Sequence, residues 1–322
     1  MKDDYLWDRS GPPDPEIESL ERTLAPLRYR HRAGLLEARP PAARRGWAMA
    51  AAAAVIAAAV GLEMQTPQAP ATAWQVDSVH GKASLGSRRA AVAMTLRSGQ
   101  TVRTGGDTEI SFRAEDFGTM AIGPDSELRA TTDRRLELQR GLLHAYIWAP
   151  PRQFVVDTPS ARAVDLGCEY TISVDASGDG LLRVSLGWVA FQNGGEESFI
   201  PQGAACVTRK RQGPGIPFYE DASGALRHSL TAFEEGDAGA LGGILAAARP
   251  SDGLTLWHLL TRVPESERGR VFDRFAQLIT LPKGLRRDDV VRRDPHAIDL
   301  CWDALNLENT DWWRGWEAAW GG

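Results

Sequence analysis

Cysteine is scarce in this sequence, with three in 322 residues and no two of them close together. That excludes a disulfide-dense secreted scaffold and the paired-cysteine zinc sites, whose ligands come at short fixed spacings. The six histidines show no paired spacing, and His296 and Cys301 stand five residues apart, off one helical face. No metal site and no cofactor are therefore expected. A Gly-rich phosphate loop, a Gly-x-Ser-x-Gly elbow and a Cys/His nucleophile arrangement are also missing, which leaves no candidate catalytic residue and points away from an enzyme. Acidic pairs such as Glu115-Asp116 lie beside turn glycines, where carboxylates serve as turn formers. Nor is there a basic excess. With 37 Lys and Arg against 42 Asp and Glu, the net charge of -5 argues against direct nucleic-acid binding.

Long uncharged apolar runs are equally rare, and the one present organises the reading. Gly46 to Leu62 carries no charge and no proline, so its backbone could be satisfied internally, as lipid requires. At 1.5 Å per residue it spans about 25 Å, the short end of a membrane crossing. Its alternatives are a buried Ala-rich helix in a soluble domain, or a leader cleaved near Ala71-Thr72-Ala73, for which the charged leader is far too long. Arg28, Arg30, Arg32, Arg39, Arg44 and Arg45 precede the run, opposed only by Glu37, and a single base, Lys82, follows within twenty residues. That asymmetry puts the N-terminus in the cytoplasm of a single-pass membrane protein, with the rest exported.

Five segments follow from this. Residues 1–45 are a cytoplasmic segment in which Asp14-Pro15 starts one short helix, with Ile17, Leu20, Leu24 and Leu27 at helical spacing. A lone helix of about twelve residues is marginal in water, so that stripe wants a partner; otherwise the segment is a disordered juxtamembrane tail. Residues 46–62 are the crossing, and 63–73 a Pro/Ala/Thr linker. Over 74–222, short alternating runs such as Glu109-Ile-Ser-Phe-Arg, Tyr170-Thr-Ile-Ser-Val and Leu182-Arg-Val-Ser-Leu predict an all-β domain. A weak echo, Arg97-Ser-Gly99, Gln139-Arg-Gly141 and Ser185-Leu-Gly187, suggests related hairpin units. Residues 223–322 turn helical, over Leu254 to Val263, Glu265 to Thr280, from Asp294-Pro295 to Leu305, and from Asp311. The fold class is thus mainly β, with a small all-α region at the end.

Cys168 and Cys206 both sit near turns of the β domain. Paired, they would close a loop of 38 residues, worth roughly 3 to 4 kcal/mol in the chain-entropy picture; the alternative is two buried free thiols. Cys301 sits in an apolar helical pattern and reads as a small core residue. Trp312, Trp316 and Trp320 share one helical face, which either docks on the other helices or offers a surface patch to a partner or bilayer interface.

The β region resembles the FecR domain of membrane-anchored regulators of extracytoplasmic-function sigma factors. The resemblance runs over roughly residues 79 to 208 and rests on Val79-His-Gly81, Leu96-Arg-Ser-Gly99-Gln-Thr-Val, the run from Phe112 to Leu128, Leu136-Glu-Leu-Gln-Arg-Gly141, Phe154-Val-Val-Asp-Thr-Pro159, Val184-Ser-Leu-Gly187-Trp-Val and Ile200-Pro-Gln-Gly203. Family members carry a short cytoplasmic anti-sigma segment, one transmembrane helix and this exported domain. The resemblance implies a non-catalytic, anti-sigma-like signalling protein. Its N-terminus would hold a sigma factor, and Leu6, Trp7, Ile17, Leu20, Leu24 and Leu27 are the residues expected at that contact. The exported part would meet an envelope protein or ligand. The alternative is a structural or ligand-binding envelope protein with no transcriptional role. Two departures stand out: Gly167-Cys168 replaces the usual Gly-Thr, and the N-terminal segment lacks the longer Trp-containing helical region of iron-uptake regulators, whose small docking domain the C-terminal helices also do not match.

Overall fold

The computed structural model describes residues 74–307, all within one compact unit. They are mainly β, with a small C-terminal α region, as the change from alternating to helical patterning predicts. Strands β1 (Trp74–His80), β2 (Ala83–Leu85), β3 (Arg88–Arg89), β4 (Thr95–Leu96), β5 (Thr101–Thr104) and β6 (Glu109–Ala114) come first. There follow β7 (Gly118–Ile122), β8 (Glu127–Ala130), β9 (Arg135–Ile147), β10 (Val155–Asp157), β11 (Arg162–Asp165) and β12 (Glu169–Val174). The last are β13 (Gly180–Leu186), β14 (Trp188–Asn193), β15 (Glu196–Pro201), β16 (Ala204–Arg209), β17 (Gly213–Pro214) and β18 (Phe218–Tyr219).

Two sheets result. One runs β4-β1-β6-β7-β9-β12-β13-β16, with β17 and β18 against β16. The other runs β3-β2-β5-β8-β9-β10-β11-β14-β15, and its β9–β10 pair is parallel. Strand β9 belongs to both: Leu136 to Arg140 pairs with β8, and Gly141 to Tyr146 pairs with β12.

The glycine echo marks the corners of this arrangement rather than repeated hairpins. Gly99 lies between β4 and β5, Gly141 inside β9, and Gly187 between β13 and β14; at each the chain leaves one sheet for the other. All three have positive φ, of 83°, 98° and 71°, a conformation only glycine adopts without strain. Space is as restrictive as conformation. A Cβ on Gly187 would lie 2.1 Å from the Gly167 carbonyl oxygen.

Inward-facing residues form the core, as in the row Val76, Phe112, Met120, Ala145, Tyr170 and Val184 of the first sheet. Trp74 caps one end, its ring 5.7 Å from Phe117 and 5.8 Å from Phe154. In β14, by contrast, Trp188, Val189, Ala190 and Phe191 are all buried, so alternation fails there. The reason is a third layer. Trp302 packs 5.8 Å from Trp188, 5.9 Å from Phe199 and 4.7 Å from Trp257, covering the outer face of β14 and β15 with helices.

Those helices are α1 (Gly224–Glu234), α2 (Ala240–Ala247), α3 (Gly253–Arg262), α4 (Glu265–Leu278), α5 (Arg287–Val291) and α6 (Pro295–Asp303). Asp294 starts α6 as expected, its carboxylate accepting the Ala297 N–H at 2.9 Å, with Pro295 in the first turn. Cys301 is buried in α6. Arg268 of α4, itself 7% exposed, donates to the carbonyls of Leu260, Val263 and Val291 and so ties α3 and α5 to α4. Leucine there would orphan three acceptors, two of them buried. We expect Arg268→Leu to cost about 3 kcal/mol, read as a lower urea midpoint.

Two sequence expectations fare differently. The disulfide is not formed: Cys168, Cys206 and Cys301 are buried free thiols. Register supplies the reason. Cys206 faces Leu182, which faces Ile172, placing Cys206 two strand spacings, about 10 Å, from Ile172. Cys168 lies four residues back along the chain, about 13 Å further in the perpendicular direction, whereas a disulfide needs Cα atoms roughly 4.4 to 6.8 Å apart. Among the described residues no helix is long and apolar enough to cross a membrane. The expected crossing at 46–62, with the 1–45 segment and the linker, lies outside the described residues.

Candidate functional site

The end of β11 carries a buried polar corner. Asp165 is 1% exposed although it bears a carboxyl. Its Oδ1 accepts the Gly167 N–H at 2.7 Å and its Oδ2 accepts the Cys168 thiol at 2.5 Å. Burial pushes its pKa up to about 7, and the two hydrogen bonds only partly offset that. Burial and then the neighbouring Asp165 charge drive the Cys168 thiol well above its usual range. Burial does the same to Tyr170, whose hydroxyl finds no hydrogen-bond partner among the described residues. A thiol held protonated is a poor nucleophile. What the corner can do is take up or release a proton on Asp165 near neutrality.

A second polar group closes the open edge of β15. Edge strands present unpaired backbone groups, which proteins cover. Here the cover comes from α3: His258 Nε2 accepts the Phe199 N–H at 3.1 Å, and one turn later Arg262 donates to Ser198 Oγ at 2.5 Å and to the Pro214 carbonyl at 2.7 Å. Because Phe199 N can only donate, Nε2 must be bare and Nδ1 must carry the proton, donated to the Leu254 carbonyl at 2.9 Å. Burial, then the Arg262 charge, lowers the His258 pKa to about 3. The ring is therefore neutral at any ordinary pH, and it fixes the helical layer to the sheet.

A cleft of about 480 Å³ opens at the tips of the β10–β11 and β14–β15 hairpins, lined among others by Asp157, Arg162, Gln192 and Glu197. Its Asp157 charge is already matched. Asp157 accepts Arg135 Nε at 2.5 Å and Arg162 Nε at 2.8 Å; burial raises its pKa, but these bonds outweigh burial and hold it below the usual value. Among the described residues no group of three or more His, Cys, Asp and Glu could hold a metal.

Of the residues singled out from sequence, Leu6, Trp7, Ile17, Leu20, Leu24 and Leu27 lie outside the described residues, as do Trp312, Trp316 and Trp320. Cys168 and Cys206 are in place but apart. Asp165, His258, Arg262 and Arg268 escaped the sequence reading, and their one signal was a polar residue at a position where periodicity calls for the core.

The geometry is that of a two-sheet β domain with glycine corners. The family model described as FecR protein matches residues 100–189, from the start of β5 into β14. Two crystal structures of a candidate anti-sigma factor from Parabacteroides distasonis ATCC 8503 are similar at 16% identity, with TM-scores of 0.34 and 0.33. Each comparison covers 42% of this chain and 65% or 64% of the other, less than two thirds of its length. No curated protein matches the chain.

Proposed function

We propose that this protein is a non-catalytic, anti-sigma-like regulator of an extracytoplasmic-function sigma factor. It crosses the bacterial inner membrane once at residues 46–62, holds the sigma factor through its cytoplasmic N-terminal stripe, and carries its FecR domain outside as the sensing part. The observation that carries this reading is the FecR domain at residues 100–189. The arginine asymmetry around residues 46–62 supports the orientation. The shared core of β domain and helices supports one sensing body rather than two modules, since Trp302 and His258 of the helices pack on β14 and β15.

The test is capture of transcription factors from the native host by the full chain, solubilised in neutral detergent. A sigma factor should be retained by the wild type and lost, at least about tenfold, from Leu20→Glu and Leu24→Glu, since a charge on an apolar interface stripe costs well over 1.4 kcal/mol. Capture of envelope proteins alone would favour a structural or ligand-binding module instead.

A further inference from the structure

Many surface arginines of this protein are matched, among them Arg113 with Asp77, Arg183 with Glu220 and Arg287 with Asp273. At one place several unmatched bases gather. A cleft of about 440 Å³ beside the β2–β3 hairpin is lined by Lys82, Ser84, Ser87, Arg88, Arg89 and Arg103, with small residues between them and no acid. Among the described residues no hydrogen bond or ion pair engages the Lys82, Arg88 or Arg89 side chains. Arg103 has only an exposed pair, with Glu127 at 2.7 Å. Three unpaired bases and one paired arginine thus gather at one place on a chain whose net charge is -5.

Strand register gives the cleft a geometry. Ser84 faces Arg89 on one side and Arg103 on the other, and directly opposed residues point to the same sheet face. Two guanidinium stems therefore stand about 10 Å apart across a small serine. Such a gap suits a tetrahedral oxyanion, which two planar forks can grip bidentately while the serine hydroxyl donates from below. We propose that this cleft binds a phosphoryl group, as borne by a soluble phosphate ester or phosphorylated saccharide.

A bilayer surface fits less well, because no large apolar side chain lines the cleft to enter the lipid boundary. Charge placed to keep an edge strand from pairing would account for Arg88 and Arg89 on the edge strand β3. It does not account for Arg103, which lies inside the sheet between β2 and β8.

The experiment titrates the full chain in neutral detergent with inorganic tripolyphosphate by calorimetry, at about 50 and about 200 mM salt. Saturable binding that weakens with salt is expected, and at least about tenfold weaker binding for Arg89→Ala and Arg103→Ala, since a charge-assisted bidentate contact is worth more than 1.4 kcal/mol. Arg89→Lys, which keeps the charge and loses the fork, should fall between. Arg227→Ala, an exposed arginine of α1, should bind as the wild type does. Circular dichroism checks that each variant is folded; should Arg103→Ala fail, the exposed Arg89 pair of variants still decides. No saturation, an equal loss in Arg227→Ala, or binding to phosphatidylglycerol vesicles without tripolyphosphate binding would each overturn the proposal.

Discussion

Valine in place of Gly141 should unfold the β domain. Gly141 has φ 98°, and a side chain there meets strain of about 1 to 2 kcal/mol before any contact is considered. Contact is the larger obstacle. A Cβ would sit 2.1 Å from Ser126 Oγ and 2.4 Å from Ser126 Cα, so backbone and not a flexible tip must give way. Ser126 has little room to move, because its hydroxyl donates to the Gly123 carbonyl and accepts the Leu142 N–H, both at 2.9 Å. Overpacking of this kind adds a few kcal/mol more, for a total of about 4 kcal/mol or greater. That rivals the whole stability of many domains, about 5 to 15 kcal/mol. Gly99 provides the control, since its φ is also positive but nothing lies within 4 Å of its Cβ position. Gly99→Val should cost the conformational strain alone. If urea unfolding of the two variants gave equal midpoints, the close approach at Gly141 would not be what holds β9 to its bend.

The same glycines show what a sequence can and cannot carry. A positive φ is a local property, so the polar-Gly pattern at Gly99, Gly141 and Gly187 is visible in the residues. Whether the chain then folds back as a hairpin or moves to a second sheet is decided by distant strands, and the pattern is silent on that. The strands themselves were legible because one face of each meets water. Legibility failed at β14, where Trp188 to Phe191 meets the core on one face and helices on the other. Cys168 and Cys206 failed for a related reason: nearness to turns says nothing of register, and register holds them apart. At the candidate site, Asp165 follows Val164 and His258 follows Trp257, single polar residues inside apolar runs. Only their surroundings in space distinguish a buried titratable group from a solvated one.

Those two residues should contribute opposite pH dependences to stability between about 4 and 6.5, and removing either should tilt the curve steeply relative to the wild type. The Asp165 carboxyl is raised to about 7 from its ordinary 3.8. Its folded form binds the proton more tightly than the unfolded chain does, so its contribution is fully present below the unfolded pKa and is lost as pH rises through the folded one. His258 is lowered to about 3 from 6.5. Its contribution runs the other way, present above the unfolded pKa and lost as pH falls. Where the windows overlap, each changes stability by about 1.4 kcal/mol per pH unit with opposite sign, and the two cancel. Asp165→Asn leaves the histidine slope uncompensated, so relative to the wild type that variant should lose about 3 kcal/mol on going from pH 6.5 to 4. His258→Gln, whose carbonyl can still accept the Phe199 N–H, should instead gain stability on acidification by a similar amount. Other carboxyls shift in both directions, Glu197 and Glu234 upward and Asp157 downward, but they are common to all the proteins and drop out of each variant-minus-wild-type difference. Urea unfolding across the pH range measures those differences directly. Parallel curves for Asp165→Asn and the wild type would mean that this carboxyl is not held protonated by the fold, and the polar corner would lose its role as the group that answers to pH near neutrality.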